Sequence, residues 1–372
     1  MPRGDLFLGL ISGTSADAID AVLAEFEPAP RVVASHAHAW PEAVRQRIVM
    51  LARTDARIAL DELGQLDGLI ADQFAQSANA LLGLAQIDRR QVRAIGSHGQ
   101  TICHRPHADS PFTMQLGDPA RIAEQTGIDV VADFRRADLA AGGEGAPLLP
   151  IVHQALLADP GEIRVVLNLG GIANISVLAP DQPVRGCDTG PANCLMDAWA
   201  EFHLGRSHDA DGAWAATGQV DDALLERLLD DPYFLQAPPK STGREHFNLD
   251  WLAPRLDEAM DRADVQATLL ALSVRSIVDA IERHAQGCAR VIVCGGGVHN
   301  QALMAGLSQA LAPTPVVSTA DYRIDPDFVE ATAFAWLARQ RLLGLPGNLP
   351  SVTGARGPRV LGVLAAAPRG SR

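Results

Sequence analysis

The feature that most restricts what this chain can fold into is a strand–glycine turn–strand unit that occurs twice. Leu8–Ala21 carries the first, turning at Ser12-Gly13-Thr14-Ser15. Val166–Leu178 carries the second, turning through Asn168-Leu169-Gly170-Gly171-Ile172-Ala173-Asn174. A short apolar run broken by glycine and then resumed is the pattern of two buried strands joined by a tight turn. Helical and strand segments follow each turn, so the reading is two related α/β domains.

In the first half, Leu6–Ile11, Ile19–Phe26 and Arg31–His38 read as strands. Pro41–Leu51 and Leu60–Leu84 carry helical periodicity, Val92–Ser97 is a short strand before Gly99, and Ile128–Asp133 is another. The plan then restarts. Ile163–Leu169 and Asn174–Ala179 read as strands, and Leu195–His203 and the amphipathic Ala267–His284 as helices. Arg290–Cys294 is a strand running into Gly295-Gly296-Gly297, with helices at Asn300–Leu311 and Glu330–Leu343. Gly142, Gly143, Gly145, Pro147 and Pro150 cluster between the halves, which puts a boundary and a hinge near Asp138–Pro150. The expected domains are residues 1–140 and 141–372, with the last segment free to pack back on the first. The Ala/Gly/Pro/Arg-rich tail after Leu364 is expected to fray.

Composition narrows the function. The 372 residues are 47% hydrophobic, enough for a large core and, by length, for two domains. The formal net charge of −13, with no dense Lys/Arg cluster, makes nucleic acid a poor partner. It leaves phosphate ligands open, because backbone N–H groups and a metal ion can bind them without lysines. Cys103, Cys187, Cys194, Cys288 and Cys294 are sparse, odd in number and free of any CxxC spacing, which argues against a disulfide framework or structural zinc. The short run Leu6–Ile11 lacks the length of a signal-peptide core, and no apolar run approaches a membrane span. A cytoplasmic location without membrane partners is expected.

Several motifs could carry chemistry. The first turn can be an ordinary hairpin or an anion nest with hydroxyls from Ser12, Thr14 and Ser15, and with Asp17 and Asp20 close enough to hold Mg²⁺ through water. Gly170 and Gly171 would let a backbone approach a ligand closely. Asp188, in Cys187-Asp188-Thr189-Gly190-Pro191-Ala192-Asn193 before a helix, is either a cap or turn former or a carboxylate base. The VIVCGGGV run at 291–298 suits nucleotide contact, but Asn300 stands where the third glycine of GxGxxG would be, and no GxxxxGK[ST] loop occurs. Gly96-Ser97-His98-Gly99-Gln100-Thr101 reads as a polar substrate-facing loop. His98, His104 and His107 match no common zinc spacing. The basic loop Pro238–Arg244 could meet an anionic ligand or an acidic neighbour.

These motifs converge on one family. GLISGTSADAID, GSHGQTICHRP, QLGDPARIAEQTGIDVVADFRRADLAAGGEGAPLLP, LNLGGIANIS, DTGPAN, PPKSTGREHFN, VCGGGVHN and GNLPSVTGA resemble, in order and from about Gly9 to Leu361, the anhydro-N-acetylmuramic acid kinases. The resemblance implies an α/β chain of two ribonuclease-H-like domains flanking an ATP cleft, the plan of actin-like ATPases and sugar kinases. It implies a homodimer that uses ATP and Mg²⁺ to open the 1,6-anhydro ring of 1,6-anhydro-N-acetylmuramic acid and phosphorylate O6. Carried over by motif, Asp188 is the base that deprotonates the attacking water. Ser12, Gly13, Thr14, Ser15, Ala16, Asp17, Ala18, Ile19, Asp20, Gly170 and Gly171 line the phosphates. Asp17 reaches the metal through water. Gly295, Gly296 and Gly297 approach the adenosine, and Arg135, Glu330, His98 and Thr101 face the sugar. The chain departs from the family pattern at Ile11 (usually Met), at Ala18 (usually Gly) and at Glu144 (usually Gln). A kinase of another sugar and a non-catalytic sensor of cell-wall fragments are the competing readings.

Overall fold

The computed structural model describes residues 5–13, 16–51, 56–238, 240–257 and 259–368. The chain divides into two compact units, one formed by Met1–Val152 with Phe328–Arg372 and the other by His153–Asp327. The first boundary therefore falls after Val152 rather than after residue 140, and the first unit also takes in the last 45 residues, the end of the chain that was left free to pack back on it.

The first unit opens with three antiparallel strands, β1 (Leu6–Ser12), β2 (Ala18–Glu25) and β3 (Arg31–Ala39). β1 is buried along its whole length, as its unbroken apolar run requires of a central strand. Helices α1 (Glu42–Leu51) and α2 (Leu60–Ala85) follow. α2 buries Leu66, Ile70, Phe74, Ala78 and Leu81, a stripe at three- and four-residue spacing laid on Leu8, Leu10, Ile19 and Leu23. Each of the larger side chains, Leu66, Ile70, Phe74 and Leu81, contributes about 1.5–3 kcal/mol on leaving water. β4 (Val92–Arg105) then runs parallel to β1, β5 (Phe112–Leu116) folds back on its far half, and α3 (Pro119–Thr126) leads to β6 (Val130–Ala132), parallel to β4. α4 (Arg136–Ala140) and α5 (Leu149–Leu157) complete this stretch.

Two expectations change here. β4 does not stop at Ser97: it continues through His98 and Gly99 to Arg105, because β5 supplies a pairing partner that the sequence pattern did not reveal. The Gly/Pro-rich stretch at 138–150 is not a loose connector. The fully buried Asp138 carboxylate accepts the Gly145 N–H at 2.8 Å and the Thr353 hydroxyl at 2.8 Å, and it also bonds the Asn348 amide. Glu144 donates its N–H to the Thr353 carbonyl at 2.8 Å, and Arg356 to that of Ala141 at 2.9 Å.

The second unit repeats the plan. β7 (Arg164–Leu169), β8 (Ile172–Leu178) and β9 (Arg185–Pro191) form the antiparallel meander. Next come α6 (Cys194–Leu204), α7 (Asp222–Leu229), the single turn α8 (Leu249–Leu252) and the long α9 (Arg262–His284). β10 (Arg290–Cys294) lies parallel to β7, and after α10 (Gln301–Ala310) the strand β11 (Val316–Ser318) lies parallel to β10. Leu269, Leu272, Ile277 and Ile281 of α9 pack with Val165, Leu167, Ile175 and Val293 of the sheet.

The chain then returns to the first unit as α11 (Val329–Leu343), α12 (Pro350–Thr353) and β12 (Val363–Ala365), the last paired antiparallel to β6. α11 lies directly on the sheet at Gly9 and Gly96. A side chain there would collide with the Ala331 and Phe334 carbonyls, so only glycine admits the helix. The tail expected to fray is held through residue 368: Ala367 donates its N–H to Asp129 at 2.8 Å, beyond the β12 pairing.

The resulting sheet orders are β12-β6-β4-β1-β2-β3, with β5 on β4, and β11-β10-β7-β8-β9. In each, an antiparallel three-strand meander continues into parallel strands beside its first member, which is the ribonuclease-H-like arrangement used twice. Among the described residues no helix is long and apolar enough to cross a membrane.

Candidate active site

In the first unit the glycine turn follows β1. Thr14 and Ser15 lie outside the described residues. At the described residues of the turn the carbonyls are engaged within the protein: that of Gly13 accepts the Ala16 N–H at 3.0 Å and the Gln100 amide at 3.1 Å, and that of Ala16 accepts Arg45 Nε at 3.1 Å. With those two carbonyls engaged, Gly13 and Ala16 have no free carbonyl to set against an anion. Ser12 does not contribute its hydroxyl outward: it is buried and accepts Trp40 Nε1 at 3.1 Å. Ala16 and Ile19 are fully buried members of the core, leaving only their backbone for a ligand. Positive φ falls at Ala16 (52°), not at Ala18, which starts β2, so alanine in place of the family's glycine at 18 carries no left-handed strain. Asp17 is exposed, 3.6 Å from Arg45, and Asp20 sits half-buried opposite Ile11. Among the described residues no group of three or more acidic, His or Cys side chains could hold a metal by itself. One exposed carboxylate fits a hydrated Mg²⁺ that takes its other ligands from water and phosphate.

Farther along β4 the same unit joins three of the four expected sugar-site residues. Arg135 Nε donates to His98 Nε2 at 3.0 Å, and Arg135 Nη1 donates to the Gly145 carbonyl at 2.8 Å. Because guanidinium can only donate, His98 Nε2 is unprotonated, and the Nδ1 proton goes to the Gly99 carbonyl at 3.0 Å. Burial, then the Arg135 charge, holds the His98 pKa well below the usual imidazole value, so the ring is neutral at pH 7. Its other face lies on Phe334 of α11, with ring centroids 4.6 Å apart. Glu330 opens that helix and interacts electrostatically with Arg135. Crowding by protein raises its carboxyl, the Arg135 charge works against the rise, and one edge stays open to solvent. Thr101 belongs to a different group, its hydroxyl accepting Gln115 Nε2 at 3.2 Å across the β4–β5 pair. A cavity of about 410 Å³ in this unit is lined by His98, Gln115, Asp118, Asp133 and Arg136, and by Ser97, whose buried hydroxyl has no hydrogen-bond partner among the described residues. Glu144, the departure from the family's Gln, lies 3.7 Å from His107.

In the second unit the turn at Gly170-Gly171 is built on the same rule. The Gly171 carbonyl accepts the N–H groups of Ala192 and Cys194 at 2.9 and 3.0 Å. The Gly170 carbonyl accepts the Asn193 N–H at 3.1 Å and its side-chain amide at 2.9 Å. Strand pairing of Cys294 with Asn168 brings the Gly295–Gly297 run beside this turn. Gly295 and Gly297 are explained by packing, since a Cβ on either would lie 2.5 Å from Asn168 Oδ1 or Leu169 Cβ. Gly296 alone faces open space.

Asp188 is on β9 rather than at a helix cap; the cap position of α6 is Asn193. Its Oδ2 accepts the Thr242 N–H at 3.0 Å, and its backbone carbonyl accepts the Tyr233 hydroxyl at 2.9 Å. Burial raises the Asp188 pKa, while the Thr242 hydrogen bond and the Lys240 charge pull it back. The result is a carboxylate more basic than an exposed one and fixed in direction. Lys240 is itself buried, donating to the Tyr233 carbonyl at 3.1 Å and lying 4.3 Å from that ring's centre. Tyr233, Thr242 and Lys240 are the residues that sequence reasoning did not assign. The basic loop was visible as a motif, but its direction was not.

A duplicated ribonuclease-H-like unit, each copy with a glycine turn at its first hairpin and the second with a half-buried carboxylate, is the plan of the actin-like ATPase and sugar kinase class. The family model described as anhydro-N-acetylmuramic acid kinase matches residues 5–367. The chain belongs to that family and is a kinase of this type. It is 54% identical over 364 residues to the anhydro-N-acetylmuramic acid kinase of Xanthomonas axonopodis pv. citri, covering 96% of this chain and 97% of that one. It is 50% identical over 369 residues to the enzyme of that name from Pseudomonas paraeruginosa, covering 98% and 99%. Among solved structures, a ROK family glucokinase from Streptomyces griseus in complex with glucose and AMPPNP is 15% identical, with a TM-score of 0.40 over 90% of this chain and 99% of that one.

Proposed function

We propose that the chain couples hydrolysis of the 1,6-anhydro bond of 1,6-anhydro-N-acetylmuramic acid to transfer of the ATP γ-phosphoryl group to O6. The products are N-acetylmuramic acid 6-phosphate and ADP, in the recycling of cell-wall fragments. The observation that carries this reading is Asp188: a half-buried carboxylate with a raised pKa, aimed by Thr242 and Tyr233. An anhydro sugar has no 6-hydroxyl, since O6 is bonded to C1. Water must therefore add at C1 as the C1–O6 bond breaks, and O6 takes the phosphoryl group. Asp188 accepts the water's proton, help worth about 10²–10⁴-fold. Arg135 and Glu330 hold sugar oxygens, and the neutral His98 fixes the Arg135 fork. The backbone of the two glycine turns seats the phosphates. Asp17 is the residue that would hold Mg²⁺ through water, and the ion would supply charge neutralisation at the phosphates.

The family reading also supports a homodimer in the cytoplasm, which sedimentation and fractionation would check. The decisive experiment is turnover of the anhydro sugar with ATP and Mg²⁺, reading product mass. A gain of one phosphate and one water is expected. Phosphate without water would mean a plain hydroxyl kinase and another role for Asp188.

A further inference from the structure

Loop 240–244 carries two cations that point to different tasks. Lys240 is turned inward and satisfied by Tyr233. Arg244 is exposed, and its guanidinium lies across the second glycine turn: Nε and Nη2 are 2.9 and 3.0 Å from the place a Cβ on Gly171 would occupy. Among the described residues no carboxylate is within ion-pair distance of it, in a chain whose formal charge is −13. The turn beneath it has its carbonyls bonded to residues 192–194, so N–H is what remains to face a ligand there. An unpaired guanidinium over an N–H-presenting turn is matched to a phosphate oxygen, which takes bidentate donors. The first turn has no such cation to spare, because Arg45 is engaged by the Ala16 carbonyl and Asp17.

We infer that Arg244 contacts a phosphate of the nucleotide seated on the Gly170–Gly171 turn and supplies the positive charge that a lysine supplies in phosphate-binding loops. The inference rests on the reading of that turn as a phosphate seat. Thr242, two residues away, holds Asp188 by its N–H, so one loop would carry both the phosphate contact and the support of the base.

Calorimetric binding of adenosine, ADP and ATP to the whole protein, without sugar, tests this. The wild type should bind ATP more tightly than adenosine. Arg244→Ala should lose about 10- to 100-fold of ATP affinity and none for adenosine, and Arg244→Lys should recover part of the loss. The salt dependence of ATP binding should flatten in Arg244→Ala. Equal ATP affinity in Arg244→Ala and wild type overturns the assignment while leaving the turn as phosphate seat intact. If the wild type gains nothing from adenosine to ATP, the phosphate reading of the turn falls, and the Arg244 inference with it. Equal loss for adenosine and ATP, with a lowered melting temperature, would reduce Arg244 to a structural residue.

Discussion

The two units share a strand order but use their first hairpin turn differently. In the first, the turn is set into the core: Ser12, Ala16 and Ile19 are buried, and the adjacent arginine is already bonded to the turn itself. In the second, Gly171 lies under Arg244, which has no carboxylate within ion-pair distance among the described residues, and a base-like carboxylate sits on the neighbouring edge strand of the meander. One scaffold thus carries a core-set turn in one copy and, in the other, a turn with a cation and a half-buried carboxylate close by. Duplication fixed the geometry, and side chains from later loops set the chemistry.

The largest test of that asymmetry is Asp188→Asn. It should fold, bind nucleotide and lose about 10²–10⁴-fold in kcat, measured by steady-state turnover. A near-wild-type kcat would remove the second unit's claim to the proton chemistry. A second test concerns packing in the first unit. Gly96→Val drives a side chain into the Phe334 carbonyl under α11 and should cost about 3 kcal/mol in urea denaturation. Gly64→Ala in α2, where a Cβ meets nothing, should instead stabilise by about 0.5–1 kcal/mol.

The third test compares one buried histidine from each unit. His153 bonds the Ser176 hydroxyl at 3.0 Å, and its buried Nε2 has no partner among the described residues; burial lowers its pKa to about 4. His98 is held down by burial and by Arg135. A folded pKa below the unfolded value means the unfolded chain binds more protons under pH 6.5. Stability is therefore fully present above that pH and is lost as the pH falls toward the folded pKa. For His153 the loss between pH 7 and pH 5 is about 2 kcal/mol. His153→Gln, which can keep a bond to Ser176, should flatten that slope in denaturation at the two pH values. An unchanged slope would assign the acid sensitivity elsewhere.

Much of the fold was legible because long apolar runs and helical periodicity are local signals: β1, β2, β10, α2 and α11 fall within a residue or two of their expected places. What escaped depends on distant partners. β4 was cut short at Gly99 because glycine reads as a turn until β5, beginning at Phe112, pairs beyond it. The 138–150 stretch read as a hinge because its anchors, Asn348 and Thr353, are some 200 residues away. At the site, the Asp188 and Gly170-Gly171 motifs announced themselves. Arg135 and Glu330 came in only through family resemblance, as sugar-site groups and without their electrostatic interaction, and Tyr233 and Thr242 reach Asp188 from segments with no periodic signal.

The return of α11 and β12 to the first sheet also sets an order of events during synthesis. At about 5–20 residues per second, strands β1 to β6 of the first sheet leave the ribosome well before the helix that must cover Gly9 and Gly96. The second unit is one uninterrupted stretch and can close its sheet while that surface is still bare. The segment made first is therefore the last to be finished, and a ribosome that stalls before α11 leaves a complete second unit joined to an uncovered first.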